Sequence, residues 1–156
     1  MSALWALGFA GDVDSAEVLI EALEEAGQVA GEALSAITGV VVEGSLRKPG
    51  ETHGPDQEEV GLDDPPPEVR TEDALPEPVV ESLRDWWSKA RGRFRPGMRY
   101  LYGQPRSPET LQAALTSAPT WRREIFALEL ASTKAGLPKV DLQGWANEQL
   151  KQLRRA

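Results

Sequence analysis

The chain has 156 residues, 40% of them hydrophobic, which is enough for one modest core or a compact domain with a tail. It has no Cys, so disulfides and thiolate metal sites are excluded. Its net charge of −8 is unevenly spread: residues 1–85 carry 20 Asp/Glu against 4 Lys/Arg, and residues 86–156 carry 5 against 13. Opposed halves of this kind predict either internal neutralisation or partners of opposite sign.

The first predicted helix is Ser2 to Ala10, with Leu4, Leu7 and Gly8 on one side and Trp5 and Phe9 forming an aromatic row. Gly11-Asp12 breaks it. A second helix is expected over Ser15–Glu25, entered through a capping box of Asp14 and Glu17. Its apolar stripe is Ala16, Leu19, Ile20 and Leu23, at spacings of 0, 3, 4 and 7. Glu17, Glu21, Glu24 and Glu25 then fall on a solvated face, and Gly27 ends the helix. A third helix follows over Ala30–Gly39, with Ala30, Ala33, Leu34 and Ile37 inward. Val40-Val41-Val42 either extends as a strand-like piece or ends that helix.

Residues 43–78 hold seven Pro and many Asp and Glu, with no apolar period. Such composition predicts a disordered acidic insertion between a front unit (2–42) and a C-terminal helical region (79–156). A helix enters through Pro78, with Val79, Val80, Leu83, Trp86 and Trp87. Pro96-Gly97 is a turn, and Arg99–Tyr102 reads as a short extended piece. Ser107-Pro108 opens a helix with Leu111, Ala114, Leu115 and Ala118 inward. Thr120 opens another, with Trp121, Ile125, Leu128 and Leu130 or Ala131 inward. Asp141 opens a last one, with Leu142, Trp145, Leu150 and Leu153. The expected class is all-α.

No catalytic constellation is legible. The single His, His53, lies in the acidic segment between Thr52 and Gly54, where nothing holds a base in place. Asp56, Glu58, Glu59, Asp63 and Asp64 lack the alternation of a calcium loop, and no phosphate-binding glycine loop occurs. The expectation is a protein that is not an enzyme and takes no cofactor or metal. The chain shows neither a basic signal leader nor a bilayer-length apolar run, which predicts a cytoplasmic protein with no membrane contact. The stretch Lys89–Arg106 interleaves Arg91, Arg93, Arg95, Arg99 and Arg106 with Phe94, Tyr100 and Tyr102. That composition suits docking onto acidic protein surfaces, or RNA and phosphate with aromatics stacking on bases. The chain's overall acidity disfavours nucleic acid. Candidate partner-binding residues are therefore Trp5, Phe9, Trp87, Arg91, Arg93, Arg95 and Arg99.

Helix, Gly-Asp turn, helix, break and helix over residues 2–39 resembles HEAT-like repeats of the PBS-lyase type. The block Asp85-Trp86-Trp87, Gly92-Arg93-Phe94, Pro96-Gly97, Arg99-Tyr100-Leu101 and Gly103, with Pro119–Arg123 and Ala127–Leu130, resembles the C-terminal part of an uncharacterised proteobacterial HEAT-repeat family. That family is longer, so the resemblance implies a truncated or shortened member. Its members are often encoded near type VI secretion genes. The resemblance implies a short solenoid fragment and a non-catalytic interaction role, such as an accessory adaptor for a secretion effector. The alternative is an immunity-type inhibitor that occludes a toxin. In either case the partner is another protein, and the N-terminal helix edge is expected to allow self-association.

Overall fold

The computed structural model describes residues 3–49 and 74–133. They fall into two compact units, Met1–Gly103 and Gln104–Ala156. The expected boundaries at 42 and 78 are thus not where the units divide: the helix after Pro78 belongs with the first three. Among the described residues the fold is helical, with two strands of two residues each.

Helix α1 spans Ala3–Ala10 and contains no charged, hydroxyl or amide side chain. It stops at Gly11, whose φ of 78° turns the chain. Helix α2 spans Val13–Glu21. Its N-cap is Asp12, which accepts a hydrogen bond from the Ser15 amide at 2.7 Å. The expected cap at Asp14 is therefore corrected by two positions. This shift matters, because it releases Glu17 from capping. Val13, Ser15, Ala16 and Leu19 are buried.

Helix α3 spans Leu23–Thr38, so α2 ends a turn earlier than expected and Gly27 lies inside the next helix rather than after the last. The break is instead a kink at Ala26 (φ −142°, ψ 50°). Leu23, Ala30, Ala33, Leu34 and Ile37 face the core. The helix ends on Gly39 in the left-handed conformation. Helices α1 and α3 approach closely at Gly8, where an added Cβ would sit 3.0 Å from the Ala33 Cβ.

Val40 and Val42 are buried and Val41 is 63% exposed, the alternation of extended chain. The outer parts of the expected insertion are ordered. The Lys48 amide donates to the Glu77 carbonyl, and the Val79 amide to the Leu46 carbonyl, each at 2.8 Å. Pro78 is buried against Gly27 and Gly31, with its ring carbons 3.3–3.5 Å from where their Cβ atoms would stand. Backbone pairing and a glycine slot hold these flanks, and neither leaves an apolar period in the sequence.

Helix α4 spans Val80–Ala90 and buries Leu83, Trp87 and Ala90. Trp87 and Arg91, at and just past its C-terminal end, meet Glu17 in the middle of α2, and Arg84 meets Glu24 in the first turn of α3. Strand β1 (Tyr100–Leu101) then turns through Tyr102 (φ 49°) and Gly103 (φ 79°) into β2 (Gln104–Pro105).

In the second unit, α5 spans Pro108–Ser117 behind a full capping box of Ser107 and Thr110. It buries Leu111, Ala114 and Leu115 as the periodicity predicts. Helix α6 spans Thr120–Thr133 and buries Leu130 as expected, together with Arg122 and Phe126, which were not expected inward. The expected inward Leu128 is 70% exposed. Arginine stems replace it in the packing. The Arg106 guanidinium lies 5.7 Å from the Phe126 ring centroid and pairs with Glu129 through Nε at 2.8 Å. The helix expected from Asp141, with Leu142, Trp145, Leu150 and Leu153, lies outside the described residues.

Candidate interaction surface

The basic stretch is first a structural clamp. At the end of α1, the Arg99 side chain donates to the Ala10 carbonyl at 2.7 Å and the Phe9 carbonyl at 3.1 Å. The Tyr100 amide donates to the Gly11 carbonyl at 2.7 Å. At the end of α3, the amides of Tyr102 and Gly103 donate to the carbonyls of Ala36 and Ile37 at 2.8 and 2.9 Å. Terminal helix carbonyls have no partner within their own helix. One five-residue segment supplies donors to two helices at once, and a guanidinium suits the negative end of a helix dipole.

The aromatics of this stretch face inward. Phe94 and Tyr100 are 4% and 5% exposed, and with Trp87 they form a chain of rings at centroid spacings of 5.5 and 5.0 Å. The Trp87 indole N–H donates to a Glu17 carboxylate oxygen at 3.1 Å, and the other oxygen of that carboxylate pairs with Arg91. Glu17, expected on a solvated face, instead ties α2 to α4. Glu24, expected beside it, accepts from Arg84 at 2.8 Å.

The expected partner-binding residues therefore separate. Trp5 and Trp87 are core side chains, 7% and 4% exposed. Phe9 is half-buried. Arg91 pairs with Glu17, and Arg99 caps α1. Arg93 and Arg95 point outward on either side of buried Phe94, with the Arg93 guanidinium 5.9 Å from the Phe94 ring. Between Arg95 and Met98 the chain makes a turn closed by the Met98 amide on the Arg95 carbonyl at 3.2 Å. Pro96 and Gly97 (φ 75°) occupy its centre, the type II arrangement. The Arg95 amide donates to the Tyr100 hydroxyl at 2.8 Å, which fixes the turn to the core. Met98, which the sequence reading passed over, is 42% exposed at this tip. A lone Met among arginines carries no periodicity and gave no signal.

The second candidate surface is the outer side of α1. Of its eight residues only Trp5 and Gly8 are buried, while Ala3 and Ala6 are exposed and Leu4, Leu7, Phe9 and Ala10 are half-buried. A surface helix normally carries a polar face, and this one has none.

A groove of about 360 Å³ lies beside the α3 kink, bordered by Glu24, Gln28, Lys48, Glu77 and Pro78. Its Lys48 and Glu77 are paired with each other. Among the described residues no three His, Cys, Asp or Glu side chains gather as a metal site would require. Nor is any helix there long and apolar enough to cross a membrane.

Comparison with known proteins returns no significant match among curated proteins or among solved structures. Residues 1–25, which hold α1, the Gly11-Asp12 turn and α2, match the PBS lyase HEAT-like repeat family, so the all-α chain carries a HEAT-like repeat in its first unit.

Proposed function

We propose that this protein is a non-catalytic interaction module that docks another protein through its HEAT-like unit, in the role of an accessory adaptor for a bacterial secretion effector. The observation that carries the reading is α1, a repeat helix without a charged, hydroxyl or amide side chain, whose outer side exposes Ala3 and Ala6 and half-exposes Leu4, Leu7 and Phe9. HEAT-like repeats commonly mediate protein–protein contacts, and their helices pack against neighbours on more than one side. An apolar helix face on a soluble surface marks a contact site. The secretion context comes from the sequence resemblance.

Light scattering on the purified chain tests this. Without a partner, the α1 face pairs with itself, so the apparent mass rises with concentration. Ala6→Glu places a charge on an exposed position of that face and holds the chain monomeric, with an unchanged circular dichroism spectrum. A wild-type chain that stays monomeric across the series and ignores added effector proteins overturns the reading.

A further inference from the structure

We infer that the turn Arg93–Met98 is a docking site for an acidic segment of another protein, read by Arg93, Arg95 and Met98. This deepens the reading above by naming the partner's chemistry at a second surface.

The site is narrower than the run of arginines in the sequence. Arg91 and Arg99 are committed to Glu17 and to the carbonyls of α1. Arg93 and Arg95 are exposed, separated by one buried residue, so both guanidinium groups lie on the outer side of the chain. Arg93 ends a single 3-10 turn, Arg91–Arg93, and Arg95 opens the Pro96-Gly97 turn; Phe94 and Tyr100 in the core and the Arg95 amide on the Tyr100 hydroxyl fix the segment between and after them. A preformed turn loses little conformational freedom on binding. Guanidinium forks pair with carboxylates in two-point fashion. Met98, exposed and closing the turn on the Arg95 carbonyl, adds a polarisable apolar contact.

The same geometry speaks against nucleic acid. Single-strand recognition needs exposed aromatic rings for bases to stack on. Phe94 and Tyr100, the aromatics nearest these arginines, are buried and packed on each other. The chain's charge of −8 adds repulsion toward a polyanion of high charge density. These observations favour an acidic protein segment over the RNA raised from composition: the arginines are outward, but the rings are not.

The test is fluorescence anisotropy of a labelled Asp/Glu dodecapeptide titrated with the full chain. Residues 50–73 carry nine Asp/Glu and one Arg and can compete for the site. The titration is therefore repeated on a chain with those nine acids replaced by their amides. Binding is expected to weaken with added salt. The double variant Arg93→Glu, Arg95→Glu should weaken it about tenfold or more by slowing association, with an unchanged thermal midpoint because both side chains are exposed. Met98→Ala should weaken it a few-fold without altering the salt dependence. The inference is overturned if neither chain binds the peptide below about 1 mM, if the double variant binds as wild type, or if a single-stranded RNA dodecamer binds more tightly than the peptide. Failure here with Ala6→Glu still abolishing self-association removes the turn alone. The converse result removes the α1 reading and leaves the turn standing.

Discussion

Gly103→Ala tests whether the segment 99–103 clamps the helix ends. Gly103 has a φ of 79°, where an alanine pays roughly 1–2 kcal/mol for its Cβ. Its new Cβ would also stand 2.6 Å from the Thr38 carbonyl oxygen. That oxygen is helical backbone and cannot swing aside as a side-chain tip would, so the turn must lift. Lifting it strains the Tyr102 and Gly103 amide bonds to the last carbonyls of α3. Overpacking of this kind typically costs about 1–3 kcal/mol. The two effects together predict a loss of about 2–5 kcal/mol, a large part of the roughly 5–15 kcal/mol of a typical domain. Gly92→Ala is the control, since nothing lies within 4 Å of a Cβ there and its φ is not positive. It should be neutral or slightly stabilising. Urea unfolding followed by tryptophan fluorescence measures both. A Gly103→Ala loss below about 0.5 kcal/mol, or equal losses for the two variants, refutes the clamp.

Three further variants probe the packing. Gly8→Val should cost about 1–3 kcal/mol in the same unfolding assay, because the Ala33 Cβ and Cα lie only 3.0–3.1 Å from the added Cβ. Glu17→Ala should cost about 1–2 kcal/mol and shift the tryptophan emission, since it removes the acceptor of the part-buried Trp87 indole. Glu17→Gln should cost only a few tenths, because it keeps an acceptor and loses an ion pair whose Arg91 is 51% exposed. In the second unit, Phe126→Ala should cost about 3–5 kcal/mol while Leu128→Lys stays within about 0.5. The reverse order in thermal melts would show that α6 presents its other face inward.

The residues made some of this legible and hid the rest for definable reasons. Ala16, Leu19 and Leu23 and the stripe Ala30, Ala33, Leu34 and Ile37 are buried as read, although Leu23 belongs to α3 and Ile20 is only half-buried. The Ser107-Pro108 helix start also stands as read, since its cap and proline are local signals. Helix edges drifted where two acids competed to cap α2, because Asp12 and Asp14 offer the same chemistry two residues apart. The inward face of α6 is legible only in part: Leu130 is buried as expected, but Phe126 takes the core in place of Leu128. Long arginine stems decided between them, and hydrophobic periodicity gives such stems no weight. The flanks of the acidic segment were invisible because backbone pairing and a glycine slot for Pro78 hold them. At the candidate surface, composition located the arginines but not their division of labour. Which guanidinium caps a helix and which faces solvent depends on where the Ala10 carbonyl and Glu17 end up in space, and that is a property of the tertiary fold.

The most direct test of the account is a chemical-shift map of the isotopically labelled chain, recorded on dilution and on addition of the acidic dodecapeptide. The account predicts that dilution moves the amides of Ala3, Ala6, Leu7 and Ala10, and that the peptide moves those of Arg93, Arg95 and Met98. Shifts gathered instead around the groove beside the α3 kink, or absent from both surfaces, would contradict it.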